Sequence, residues 1–252
     1  MKKNKLCVLI LTKNNEDLLT DTILSVNYLT DEIIVVDSSS KDKTIEIAKK
    51  YKAKVFNYPY SNLGKKRQFA LSKANYDWVL FLDTDERVSK KLQKEIKNKL
   101  SNKSFYDAYL IPFSNHYIGK RIRFGGENYK MIRLLKKKDA IITSSPVHEE
   151  IQSKSGNIGM LNGSVYHYSY RTLFQTFSKF TDYALRESKE KARKGEKTSI
   201  KKIFMYPTHM FWSRFIKDKG YKDGYFRIPL DLGFAYMEFI TYITLPFFKI
   251  FK

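Results

Sequence analysis

Cysteine is nearly absent. Cys7 is the only one in 252 residues, and histidine numbers only 4. An internal disulfide is excluded, and no Cys/His zinc pattern can be assembled. This scarcity fits a reducing compartment, so a cytoplasmic location is expected. Glycine is sparse at 11 residues. The first apolar run leads into Thr12-Lys13-Asn14-Asn15 rather than a G-x-G-x-x-G turn, and no G-x-x-x-x-G-K-[ST] loop occurs. Both Gly-rich ways of cradling phosphate on backbone N–H groups are therefore missing. A nucleotide on this chain would be held by side chains and a metal ion. Acid is also scarce, with 26 Asp and Glu against 47 Lys and Arg, for a net charge of +21. Such a chain calls for anionic partners: phosphate-bearing substrates, acidic lipid headgroups or nucleic acid. Long apolar runs are missing from the N-terminal part. The basic start, Met1 to Lys5, precedes an apolar run that soon meets Lys13 and Glu16. That reads as a first strand, not a signal peptide.

What is present centres on Val79-Leu80-Phe81-Leu82, which runs straight into Asp83, Asp85 and Glu86. A short continuous apolar run reads as a strand buried on both faces. Unpaired carboxylates are costly to bury, so the strand should end near Asp83, at a sheet edge where ligands bind. In extended backbone, residues two apart point the same way. Asp83 and Asp85 would then converge and suit a hard divalent ion that also holds phosphate. Alone, the pair reads equally as a solvated acidic turn.

Further strands are expected at Leu6–Leu11, Ile33–Val36 and Lys54–Phe56, and helices near Leu18–Val26, Thr44–Tyr51 and Arg67–Ala74. Strand and helix alternate, which predicts an α/β fold: a mostly parallel sheet with helices on both faces. Right-handed crossovers put the strand ends on one side, so Thr12, Asp37 and Asp83 should share one edge.

Four ordered blocks carry a family resemblance: Leu9–Glu16, Glu32–Asp42, Gly64–Gln68 and Asp83–Glu86. Together they resemble the family 2 glycosyltransferases, inverting enzymes of the GT-A (Rossmann-like) fold. They resemble in particular the branch similar to bacterial lipopolysaccharide-core β-1,4-glucosyltransferases, a likeness continuing to Val147-His148-Glu149 and His167-Tyr168. Ser39 departs from that branch, which often has glycine there. The resemblance implies transfer from a nucleotide-sugar, with a UDP-sugar as the expected donor. Thr12, Asp37, Arg67 and Asp83 would bind that donor. Asp83 and Asp85 would hold a divalent metal, Mg or Mn. Lys65 and Lys66 read as surface charge and Glu86 as a helix-start carboxylate.

An inverting transfer needs a base to take the acceptor hydroxyl proton. Glu149 is the candidate, with Glu150 in reserve. His148 reads as a metal ligand, a donor to the diphosphate or a loop residue. On the acceptor side, Asn115, Arg123, Arg133 and His167 are candidates, although each also fits an ordinary surface or structural role. The expected division is a catalytic domain over 1–169, with a nucleotide-sugar half to 100 and an acceptor half after it. A helical region over 170–252 would follow.

That tail interleaves Lys and Arg with Phe174, Phe177, Phe180, Tyr183, Phe204, Trp212 and Phe215. Rings and basic groups together suit an anionic membrane surface, and they equally suit packing on the protein. Phe234 to Phe251 is apolar but for Glu238 and Lys249 and contains Pro246. An interfacial or core-packed helix is expected there, with a tail anchor as the alternative. The expected partners are a nucleotide-sugar, a glycolipid or glycan acceptor, and the inner face of the cell membrane. Two other functions fit parts of the pattern: a nucleotidyltransferase on a similar sheet, and a basic nucleic-acid-binding protein. The first lacks its Gly-rich loop. The second leaves Asp37, Asp83 and Asp85 without a role, so no nucleic-acid partner is expected.

Overall fold

A computed structural model describes residues 4–60, 62–102, 105–143 and 150–250. The chain forms two compact units. The first comprises Met1–Phe113 and Tyr129–His167, and the second Ser114–Asn128 and Tyr168–Lys252. The segment Ser114–Asn128 thus groups with the C-terminal region. The reason lies in partners distant in sequence. The backbone N–H of Arg123 donates to the Asp223 carboxylate at 3.0 Å.

In the first unit, strand and helix alternate from the start. The order is β1 (Leu6–Thr12), α1 (Leu19–Leu24), β2 (Glu32–Asp37), α2 (Thr44–Lys50), β3 (Lys54–Asn57), α3 (Leu63–Lys73) and β4 (Trp78–Asp83). Then come β5 (Glu86–Val88), α4 (Lys90–Ser101) and β6 (Ala108–Tyr117), whose last residues enter the second unit. After β7 (Lys120–Arg121) of the second unit, the first resumes with β8 (Lys130–Lys136), β9 (Ala140–Ile142), β10 (Ile151–Ser153), β11 (Ile158–Met160) and β12 (Val165–Tyr170), whose last three residues enter the second unit. Strands β3, β2, β1 and β4 pair in parallel. On β4 the sheet turns antiparallel, through β8 to β6. The α/β class expected from the sequence is the one observed.

Strand alternation divides the core in two. Leu6, Val8 and Ile10 face one side, with Leu19, Ile23, Ala48, Leu92 and Ile96 of the helices. Cys7, Leu9 and Leu11 face the other, with Ala70 and Ala74. Helices therefore cover both faces. Burial, first, and the neighbouring Glu32 push the Cys7 thiol well above its ordinary range. A protonated thiol in a packed core is unreactive. Native protein should therefore resist iodoacetamide and take up one label only when unfolded in urea. Mass spectrometry reads this directly, and rapid labelling in native buffer would place Cys7 outside the core.

The second unit is helical, with α5 (Leu173–Arg193), α6 (Ile200–Trp212) and α7 (Ile228–Thr244). On α5, Thr176, Phe180, Ala184, Ser188 and Ala192 are buried at every fourth position, forming one face. The aromatic residues of α5 therefore separate: Phe180 is buried, whereas Phe174 is 84% exposed. A Cβ on Gly233 would lie 2.5 Å from the Phe180 ring, so glycine permits the close approach of α7 to α5. Arg227 is fully buried and pairs with Asp231 at 2.8 Å and Asp223 at 3.0 Å. Helix α7 buries Leu230, Thr241 and Tyr242, so it packs into the unit as a core helix. Among the described residues, no helix is long and apolar enough to cross a membrane.

Candidate active site

The register of the parallel strands aligns their ends. Thr12 of β1 pairs with Asp37 of β2, and Leu11 pairs with Asp83 of β4. The three polar residues expected to share one edge do share it. Thr12 is 3% exposed and Asp37 1%. The Thr12 hydroxyl has no hydrogen-bond partner among the described residues. A buried polar group left without a partner costs about 1–3 kcal/mol, a debt that a bound ligand can cancel.

Asp37 organises the turn that follows it. One carboxylate oxygen accepts from the Ser40 N–H at 2.8 Å, and the other from the Ser40 hydroxyl. A carboxylate accepts about four hydrogen bonds, so capacity remains for a ligand. Within this turn Ser39 has φ of 58°. The serine thus adopts the left-handed conformation that glycine favours, at a cost of roughly 1–2 kcal/mol. The departure from the family pattern leaves a glycine-type turn in place.

Asn62 caps α3 by accepting from the Lys65 N–H at 2.8 Å. The helix then turns Lys66 and Arg67 inward, at 6% and 5% exposed. Lys66 is therefore not the surface charge expected. The missed signal is spacing: Lys66, Ala70 and Ala74 lie four apart and share the face packed on the sheet. Burial lowers the pKa of the Lys66 ammonium, and the carboxylates of Asp37 and Asp83 draw it back up.

Asp83 lies within a charged network. Arg67 Nη2 is 3.1 Å from both of its carboxylate oxygens. Arg133, one residue before the Leu134 that pairs with Leu80, brings Nη2 to 3.3 Å from Asp83 and 2.6 Å from Glu86. Glu86 accepts from the Asp83 N–H at 3.1 Å. Burial disfavours the charge on Asp83, but Arg67 and Arg133 outweigh it and hold the carboxyl below its usual range. Burial pushes Glu86 up to about 7, with Arg133 opposing and Asp83 adding to the rise.

One expectation is corrected here, that for Glu86, and the acceptor-side candidates take the places that follow. Glu86 is a buried residue of β5, 1% exposed, and not a helix-start carboxylate. The helix starts later because Ser89 caps it, accepting from the Leu92 N–H at 3.2 Å. Arg133, expected toward the acceptor, lies against Asp83 and Glu86 at 3% exposed. Asn115 belongs to the second unit, where its amide donates to the Glu127 backbone at 3.1 Å and carboxylate at 3.0 Å. Arg123 is also in that unit, exposed. His167 stays with the first unit, its Nε2 3.5 Å from Asp85.

Asp83 and Asp85 are separated by a turn rather than extended chain, because β4 ends at Asp83 and Thr84-Asp85 reverse direction. Their side chains are 32% and 22% exposed, partly open to a ligand. Mg²⁺ is commonly held by one or two carboxylates together with substrate phosphates, and this pair fits that mode. Among the described residues, no group of three or more His, Cys, Asp and Glu could hold an ion unaided. Glu149 and His148 lie outside the described residues. Glu150 is exposed, its carboxylate accepting from Gln152 at 2.8 Å.

The family model "Glycosyl transferase family 2" matches residues 7–216. An uncharacterized glycosyltransferase of Rickettsia typhi is 36% identical over 219 residues, covering 82% of this chain and 74% of that protein. The lipopolysaccharide core biosynthesis glycosyltransferase LpsC of Rhizobium meliloti is 24% identical, covering 99% and 93%. Among solved structures, residues 1–349 of S. aureus TarS align over 98% of this chain and 92% of theirs, at 15% identity and a TM-score of 0.49. With the family matched over most of its length, the chain belongs to glycosyl transferase family 2, as a glycosyltransferase that takes its sugar from a nucleotide-sugar.

Proposed function

We propose that the protein transfers a sugar from a UDP-sugar, with inversion at the anomeric carbon, to a lipopolysaccharide-type or other lipid-linked glycan at the inner membrane face. One observation carries the reading: Thr12, Asp37 and Asp83 end adjacent strands at one edge, with Arg67 buried against Asp83. The Thr12 hydroxyl and the Asp37 carboxylate suit the base and ribose. Arg67 and Lys66 suit the phosphates, whose charge they complement. Asp83 and Asp85 would hold a divalent ion, which would supply charge neutralisation for the leaving diphosphate. Glu149 takes the acceptor proton, with Glu150 in reserve. The likeness to LpsC over 99% of the chain supports a lipopolysaccharide-type acceptor.

The deciding experiment is a donor panel. UDP-, GDP- and TDP-sugars are incubated with Mg²⁺ or Mn²⁺, and consumption is measured. A UDP-sugar should be consumed in the presence of metal. Tight oligonucleotide binding at high salt, with no affinity for UDP, would instead make this a nucleic-acid-binding protein.

Two substitutions probe separate steps. Lys66→Met removes a buried ammonium, so stability toward urea should hold or rise. UDP affinity should fall about tenfold or more, as expected for losing a charged hydrogen bond. If calorimetry shows unchanged affinity, Lys66 does not meet the phosphates. Glu149→Gln should lower turnover about 10²- to 10⁴-fold with UDP affinity unchanged. Collapse of donor affinity would remove Glu149 from the role of base.

A further inference from the structure

Helix α6 has thirteen residues, and none of them is buried. One side packs within its unit: Ile203 joins the cluster of Ala192, Tyr242 and Leu245, and Tyr206 meets Tyr242 edge-on at 4.9 Å. The other side is apolar and open. Phe204 is 63% exposed, Met205 55% and Trp212 49%, with Ile216 at 46% just beyond the helix. Phe204 and Trp212 lie eight residues apart with exposed Thr208 between them, and Ile216 follows four residues on, so the apolar groups line one side of the segment with a polar break at Thr208. Exposed apolar side chains are ordinary when scattered, but several large ones gathered along one helix mark a contact surface.

The charges around the stripe identify its partner. Exposed Lys197 and Lys201 stand at the start of the helix, and exposed Lys217 and Lys219 follow its end. Asp218 is the one carboxylate from Lys197 to Lys219. Glu196, just before, is neutralised by Lys191 at 3.2 Å and Lys202 at 2.8 Å. Ammonium groups therefore bracket an apolar stripe about 20 Å long, at 1.5 Å per residue. A helix lying in a bilayer interface has this layout: rings and aliphatic groups below the headgroups, cations among the lipid phosphates.

We propose that α6 docks the protein on an anionic lipid bilayer, lying in the plane of the interface. This deepens the membrane-face part of the reading above, but it rests on α6 alone. Its failure would leave UDP binding intact, and loss of UDP binding would leave lipid binding intact.

The full chain carries its own reporter. It has 2 tryptophans, and Trp78 is 2% exposed in the core, so Trp212 is the one open to lipid. Vesicles of phosphatidylcholine plus phosphatidylglycerol should shift the emission to the blue, and brominated acyl chains should quench it. Pure phosphatidylcholine should do much less. Phe204→Glu/Met205→Glu should weaken vesicle binding about tenfold or more, with far-UV circular dichroism and UDP affinity preserved. Lys201→Ser/Lys217→Ser should weaken it about tenfold at low salt, at a fold closer to wild type. Three results would each overturn the proposal: emission indifferent to anionic vesicles, equal binding to both lipids, or a dimer in sedimentation that Phe204→Glu/Met205→Glu splits. The last would mean that a second copy covers the stripe.

Discussion

Asp85→Ala should reduce sugar transfer on the order of 10³-fold or more, the scale of losing a principal electrostatic stabiliser of the transition state. The fold should survive. Asp85 sits in a turn with its side chain 22% exposed, and the His167 imidazole 3.5 Å away is itself 20% exposed. Pairs of that kind contribute about 0–1 kcal/mol to stability. Function and stability therefore separate at this position. Metal-dependent UDP binding, followed by calorimetry with and without Mg²⁺, should lose its metal dependence. Retained turnover would remove Asp85 from the metal site.

Arg133→Met should do the reverse and strike the fold first. Arg133 and Glu86 pair at 2.6 Å with side chains 4% and 1% exposed. Without Arg133, burial drives Glu86 to take up a proton and Asp83 loses one of its two guanidinium partners, and breaking a buried pair in this way costs about 3–5 kcal/mol. A typical domain has about 5–15 kcal/mol in all, so the urea midpoint should drop steeply. Arg133→Met/Glu86→Leu should recover most of the loss, because replacing both charges with apolar groups removes the desolvation problem. A single variant with the wild-type midpoint would show that the pair does not support the fold.

The contrast between the two positions indicates what the sequence made readable. Apolar runs ending in polar residues located β1, β2 and β4. Parallel alternation then aligned Thr12, Asp37 and Asp83, because strand order and crossover hand follow from local pattern. Lys66 could have been read from its spacing with Ala70 and Ala74, and Glu86 from the capping residue Ser89. Arg133 was different. Its place depends on β8 pairing with β4 across some fifty residues, and nothing local in Met131-Ile132-Arg133 signals that partner. The same holds for Asn115 and Arg123, whose surroundings depend on Glu127 and on Asp223, in the second unit. The resemblance named the donor side residue by residue but did not mark Arg133 as a support of Asp83.

The pairing of Thr12 with Asp37 has one more consequence. The strand that ends in Thr12 also feeds both cores, with Leu6, Val8 and Ile10 to one side and Cys7, Leu9 and Leu11 to the other. A slip of one residue would exchange these two sets and displace Thr12 from Asp37 in the same motion. A misthreaded molecule would therefore be inert rather than sluggish. In any preparation, nucleotide-binding stoichiometry then counts correctly assembled molecules, and a titration endpoint below one per chain measures the misassembled share.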